Sequence, residues 1–228
     1  MPQFEDQATA KCQELLAIPK DQRNDDWFEE FLQVVPKAFF FATDVEGKPF
    51  RGPDGAYYLG ATSTRNETGV GACLLDLLDG LLSNGMGYVV NPQLEQPDYV
   101  FTFGNLATLK MFGSFAAPES WSGAPLVSQT QELAEPTEAL VGAPNEGYLP
   151  SFIRKPIAEF LRHVGVAEPR VALVHIQDRR SLAFNLTPEA LEHPEGYGQV
   201  MNLILWHLPM GYTLIEWSAN LDSASIPV

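Results

Sequence analysis

Apolar residues recur at helical spacing at the start of the chain. Phe4, Ala8, Cys12, Leu15 and Leu16 make one stripe over residues 3–17, and Pro19 ends it. Asn24 or Asp25 caps a second helix, whose apolar face is Trp27, Phe28, Phe31, Leu32 and Val35. Pro36 stops that helix. The period then shortens. Residues 37–44 (KAFFFATD) and 56–62 (AYYLGAT) read as two strands of a hairpin with a long Gly- and Pro-rich loop. Leu74, Leu75, Leu78, Leu81 and Leu82 define a helix over about 72–83, followed by a strand at 88–91 (YVVN). A further strand spans 99–103 (YVFTF), and Asn105 caps a short helix to Met111.

Residues 116–150 break every period. Prolines 118, 125, 136, 144 and 150 and many small residues make this stretch a linker candidate. The pattern then resumes. A helix covers about 155–164, a strand 171–176 (VALVHI), a turn 178–180 and a return strand 182–185. Thr187-Pro188 opens a helical start, an apolar helix follows over 199–207, and 212–217 (YTLIEW) reads as a strand.

The two sides of the linker share an order: helix, strand, turn, strand, glycine pair, helix, strand. Gly69 and Gly71 correspond to Gly196 and Gly198, and Gly85-Met86-Gly87-Tyr88 to Pro209-Met210-Gly211-Tyr212. Order and local words agree, which predicts a two-part internal repeat. The expected fold class is α+β. It has two structurally similar halves, each a small mixed or antiparallel sheet with helices packed on one face. The expected organisation is an N-terminal half over 1–115, an acidic Pro-rich linker over 116–150 and a C-terminal half over 151–228.

Here the residues carry a family resemblance. Gly87–Pro92 (GYVVNP), after a leucine helix and before an acidic stretch, resembles an element of the N-terminal domain of the SseB-type (enhanced serine sensitivity) family. The second half is similar to that family's C-terminal domain, with a helix, the VALVHI strand and the closing Leu208–Tyr212. As pattern the resemblance covers roughly residues 27–115 and 150–220. It implies a bacterial two-part α+β protein and brings no catalytic residues with it. The helices before residue 37 and the acidic linker have no match in it.

Charge narrows the partners. The 228 residues hold 29 acids and 14 Lys or Arg, a net charge of −15. A surface that acidic repels nucleic-acid backbones and anionic lipid heads, so neither nucleic acid nor membrane is an expected partner. Residues 116–150 carry five acids and no base. A basic protein or peptide is the partner this charge favours. Cys12 and Cys73 lie far apart among apolar neighbours and read as reduced core residues. The N-terminal residues lack a signal pattern, and no apolar run approaches the ~18 residues of a membrane span. A cytoplasmic location is expected.

Candidate chemistry is sparse. His163, His175, His193 and His207 show no i, i+3 or i+4 pairing, so no metal site and no cofactor are expected. The glycine pairs match neither a dinucleotide fingerprint nor a P-loop and read as strand-to-helix turns. The segment 91–111 stands out. A Pro-bounded acidic loop leads into Tyr99, Phe101 and Phe103, three aromatics at period 2. That alternation fits a core face, or an exposed groove for a partner. The partner-binding candidates are Asn91, Glu95, Asp98, Tyr99, Phe101 and Phe103. If the protein is an enzyme, the candidates are His175, Asp178, Arg179 and Arg180, a histidine beside an arginine pair. The expected function is a non-enzymatic protein-binding or regulatory module. The alternatives are an acidic immunity or inhibitor protein that blocks a basic enzyme, and a hydrolase or transferase. A homodimer fits open sheets with edges to cover.

Overall fold

The computed structural model describes residues 5–44, 47–65, 69–118, 139–176, 179–191 and 193–228. Packing divides the chain into two units, residues 1–115 and 116–228.

In the first unit, α1 (Asp6–Ala17) buries Ala8, Cys12 and Leu15, the predicted stripe. α2 (Asp25–Val34) is capped by Asn24, whose side chain accepts from the Trp27 N–H at 3.0 Å. β1 (Phe39–Ala42) and β3 (Tyr57–Thr62) pair antiparallel, as a hairpin requires, and β2 (Phe50–Arg51) adds to β3. β4 (Gly71–Cys73) pairs antiparallel with β1 and leads into α3 (Leu74–Ser83). The leucines of α3 at 74, 78, 81 and 82 are buried. β5 (Gly87–Val90) then returns parallel to β3, and β6 (Tyr99–Phe101) pairs antiparallel with β5. The sheet order is β4-β1-β3-β5-β6, a mixed sheet.

α4 (Phe103–Phe112) begins at Thr102, not at Asn105 as expected. Thr102 and Asn105 form a reciprocal capping box, so Asn105 sits at the third helical position. Alternation puts Phe40, Tyr88, Phe101 and Tyr99 on one sheet face. Phe31 of α2 and Phe115 after α4 stack on Phe101 there, with ring centroids at 6.3 and 4.7 Å. Glycine is needed at position 87, because a Cβ there would lie 2.6 Å from the Phe101 carbonyl oxygen and from the Tyr58 ring.

Tyr88 lies at the centre of this core. Its hydroxyl is buried and has no hydrogen-bond partner among the described residues. Burial above all, then the Cys12 and Cys73 thiols, push its pKa well up. An unpaired buried hydroxyl costs stability that a phenyl ring would not. Tyr88→Phe is therefore expected to raise the unfolding free energy by about 1 kcal/mol, read from urea denaturation. A loss of similar size would mean that a bound water satisfies the hydroxyl.

The second unit begins, among described residues, with β7 (Ala139–Gly142). This corrects the linker expectation for 116–150. Residues 119–138 lie outside the described set, but Ala139–Gly142 pair antiparallel with β8 (Arg170–Ile176). Pro144, Tyr148 and Leu149 are buried as well. Four residues of strand between prolines are too few to show a period. α5 (Ser151–His163) starts earlier than its pattern predicts and buries Ile153, Ile157 and Leu161. β8 pairs along its length with β9 (Arg179–Phe184), the expected hairpin. The Thr187-Pro188 start gives only one 3-10 turn over Pro188–Ala190. α6 (Tyr197–His207) follows, and β10 (Ile226–Pro227) pairs with the beginning of β8.

The expected strand at 212–217 is reduced to a parallel bridge between Leu182 and Leu214. Two hydrogen bonds hold it, Leu182 N–H to Thr213 O at 2.8 Å and Ile215 N–H to Leu182 O at 3.0 Å. In the first unit β5 runs parallel to β3 over four residue pairs, whereas the second unit has, among the described residues, only this one bridge beside β9. The fold is α+β with two sheets. Among the described residues, no helix is long and apolar enough to cross a membrane.

Candidate functional site

The parallel pair β3/β5 sets the site. In open sheets, ligand crevices form outside the carboxyl ends of parallel strands, where the chain leaves the sheet. Ser63 follows β3 and Asn91 follows β5. Asn91 is the one non-glycine among the described residues with positive φ, at 54°. Asn tolerates this left-handed region because its short side chain satisfies nearby backbone groups.

Here Asn91 does so fully. Its backbone N–H donates to Ala61 O at 2.7 Å, which extends the parallel ladder. Its Oδ1 accepts from the Ser63 N–H at 2.8 Å. Its Nδ2 donates to Ser63 Oγ at 3.0 Å and to Asp98 Oδ2 at 2.6 Å. Thr62 Oγ1 accepts from Gln93 Nε2 at 3.1 Å, so the turn after β3 is held from two sides. The Asn91–Asp98 bond closes loop 92–97 at its base.

Asp98 is the second anchor. Its backbone N–H donates to Val90 O at 3.0 Å. Its Oδ1 accepts from an Arg23 guanidinium nitrogen at 2.7 Å, and the two side chains are only 6% and 10% exposed. Arg23 also donates to the carbonyls of Ile18 at 3.0 Å and Leu16 at 3.1 Å. Its guanidinium carbon lies 4.6 Å from the centre of the Trp27 ring. The buried charge pair is thus supplied with further hydrogen bonds, which such a pair needs to be tolerated. Burial, and then the Asp98 charge, push the Cys12 thiol up to about 12. Cys12 is therefore a protonated core residue.

Beside this network opens a cleft of about 460 Å³, lined by Gln13, Leu16 and Ala17 of α1 and by Ser63, Thr64, Arg65, Asn91 and Asp98. Its polar groups are two hydroxyls, two amides and a guanidinium. The one carboxylate is already bound to Arg23 and Asn91. The arrangement can donate hydrogen bonds to an anionic oxygen.

The structure brings together two of the six predicted partner-binding residues, Asn91 and Asp98. Glu95 is exposed on loop 92–97. Tyr99 is half-buried, its ring centre 5.6 Å from Phe28 and from Phe31. Phe101 and Phe103 are fully buried. The exposed-groove alternative for 99–103 is corrected: Phe101 faces the α2 core, and the capping box at Thr102 puts Phe103 in α4 instead of on the strand.

Of the enzyme candidates, the structure brings His175 and Arg180 side by side on one face and places Arg179 on the other. His175 pairs in register with Arg180 and with Leu140, while Arg179 pairs with Ile176 on the opposite face. Asp178 lies outside the described residues. Among the described residues, no three His, Cys, Asp or Glu side chains cluster as metal ligands would.

Sequence reasoning missed Gln13, Arg23, Ser63, Thr64 and Arg65. The polar run directly after the AYYLGAT strand was the available signal. Searches against family models, curated proteins and solved structures return no match.

Proposed function

We propose that the protein is a recognition module that binds a partner protein or peptide through the cleft at the carboxyl ends of β3 and β5. The partner presents a carboxylate, which seats against Arg65 and the Ser63 and Thr64 hydroxyls. The observation that carries this reading is the Asn91–Asp98–Arg23 network, which holds Ser63 in place beside an open cleft that Thr64 and Arg65 also line. A preorganised set of donors is what a binding site requires, since it lowers the ordering cost of association. The likeness of Gly87–Pro92 to the SseB-type element belongs to the same proposal, because Asn91 is the residue on which the network turns. The sign of the expected partner group changes with this site. The whole chain is acidic, but the donors in the cleft favour an acidic group over a basic one.

The test uses acetylated peptides that end in a free carboxylate and the same peptides with an amide end. Amide NMR shifts at residues 63–65 and 91 are the readout. The free acids are expected to bind and the amides to bind about tenfold more weakly, with Arg65→Ala reproducing that loss. Equal binding of acid and amide, or binding unchanged in Arg65→Ala, would overturn the proposal.

A further inference from the structure

We infer that the cleft at the carboxyl ends of β3 and β5 takes the C-terminus of a protein chain whose last residue carries an aliphatic side chain. This rests on the carboxylate reading of the same cleft and names which carboxylate it is. The lining has two parts of unlike chemistry. Ser63, Thr64 and Arg65 form a donor wall, and Gln13, Leu16 and Ala17 form a second wall. The second wall is a stripe of α1, at i, i+3 and i+4. Another face of this helix buries Ala8, Cys12 and Leu15, so the core fixes which way the stripe points. Leu16 is half-buried and Ala17 is exposed, which leaves an apolar ledge for a ligand to cover.

One run of hydrogen bonds ties the two walls together. A single guanidinium nitrogen of Arg23, Nη2, donates to the Leu16 carbonyl at 3.1 Å and to Asp98 Oδ1 at 2.7 Å. Asp98 Oδ2 accepts from Asn91 Nδ2 at 2.6 Å, and Asn91 Oδ1 accepts from the Ser63 N–H at 2.8 Å. The spacing from the ledge to Ser63 is thereby set before a ligand arrives, which lowers the ordering cost of binding. The charge of the lining is set as well. Asp98 is paired with Arg23, so Arg65 is the one charge of the lining left to meet a ligand. A single carboxylate matches it. Glu14, the acid next to Gln13, lies about 100° round the helix from it, on the side of Lys11.

A carboxylate and an aliphatic group on the same carbon are what the end of a chain presents, and capture of a terminal carboxylate is a recurring mode of peptide recognition. An Asp or Glu side chain has no apolar branch beside its carboxylate and would leave the Leu16 ledge uncovered. Gln13 lies one turn before Leu16 and Ala17. Its amide both donates and accepts, as the last peptide unit of a chain does. A free amino acid lacks that peptide unit and brings an ammonium group instead. The one carboxylate of the lining, Asp98, already serves Arg23 and Asn91. A cleft of about 460 Å³ also suits a chain end more than the surface of a folded domain.

The test is a titration of the full chain with acetylated tripeptides that end in leucine, glycine or aspartate, each with a free terminal carboxylate. A fourth peptide carries an internal glutamate and an amide end. Amide NMR shifts at residues 13–17 and 63–65 are the readout. The leucine end is expected to bind about tenfold more tightly than the glycine end. The aspartate end and the internal glutamate are expected to bind no more tightly than the glycine end. Leu16→Ala should narrow the leucine preference to less than about threefold and leave the affinity for the glycine end unchanged, which also shows that the variant is folded. Ala17→Asn, at an exposed position, carries the same expectation should Leu16→Ala fail to fold. Equal binding of the leucine and glycine ends, equal binding of the internal glutamate, or a leucine preference that survives the substitutions would overturn the inference, even where free acids still bind better than amides. Loss of the acid-over-amide difference would instead overturn the carboxylate reading, and this inference with it.

Discussion

Asp98→Ala is expected to destabilise the first unit by about 3–5 kcal/mol, because it leaves the Arg23 guanidinium buried without its counter-charge. The substitution also strips Asn91 of its 2.6 Å acceptor, so the strained backbone at φ 54° loses one of its supports. Nor can the guanidinium simply swing into solvent. It is tied to two carbonyls and rests on the Trp27 ring. Removing both charges has a smaller effect than removing one, since a buried pair and an apolar replacement are often close in energy. The double variant Asp98→Ala/Arg23→Met is thus expected to recover much of the loss. Native-state hydrogen exchange at the β5 amides measures the first unit by itself. A loss below about 1 kcal/mol for Asp98→Ala would show that the pair is open to water and that the network does not hold the cleft.

The second large effect is a dependence on pH in the other unit. His207 ends α6 with its ring buried against Phe160 and Trp206, and its Nδ1 lies 2.7 Å from the Leu203 carbonyl oxygen. Burial lowers its pKa from the ordinary 6.5 to about 4, and the hydrogen bond to Leu203 offsets only part of that. The folded ring therefore stays neutral where the unfolded one takes a proton. Its stabilising contribution is complete above pH 6.5, falls as the pH drops through the interval and is spent near pH 4. The whole interval amounts to about 3 kcal/mol. His207→Gln should remove close to one proton from the pH slope of stability between those limits. Direct titration of the ring by NMR gives the pKa itself. A His207 pKa near 6.5 in the folded chain would rule the effect out.

Legibility followed element length and sequence distance. The leucine helix α3, the Asn24-capped α2 and the β8–β9 hairpin were readable because each repeats its period at least twice. β2, β4 and β7 were not, since two to four residues carry no period. The fate of Phe103 was decided by a hydroxyl one residue earlier, where Thr102 starts a helix in the middle of an aromatic alternation. For the site, Asn91 and Asp98 stood out as the ends of a Pro-bounded loop. Arg23 did not, because it meets Asp98 across 75 positions of sequence. Ser63–Arg65 gain their meaning only from the parallel pairing of β3 with β5, and a hydrophobic pattern does not specify which strand a crossover returns to.

The placement of Arg23 gives the first unit an optical reporter of its own. The guanidinium lies over the Trp27 indole, and its other end holds the carboxylate that borders the cleft. Indole emission responds to a nearby charge, so a ligand carboxylate that pushes Asp98 away also shifts the cation above the ring. In a variant that keeps Trp27 as its sole tryptophan, occupancy of the cleft would be visible as a change of colour, with no dye attached.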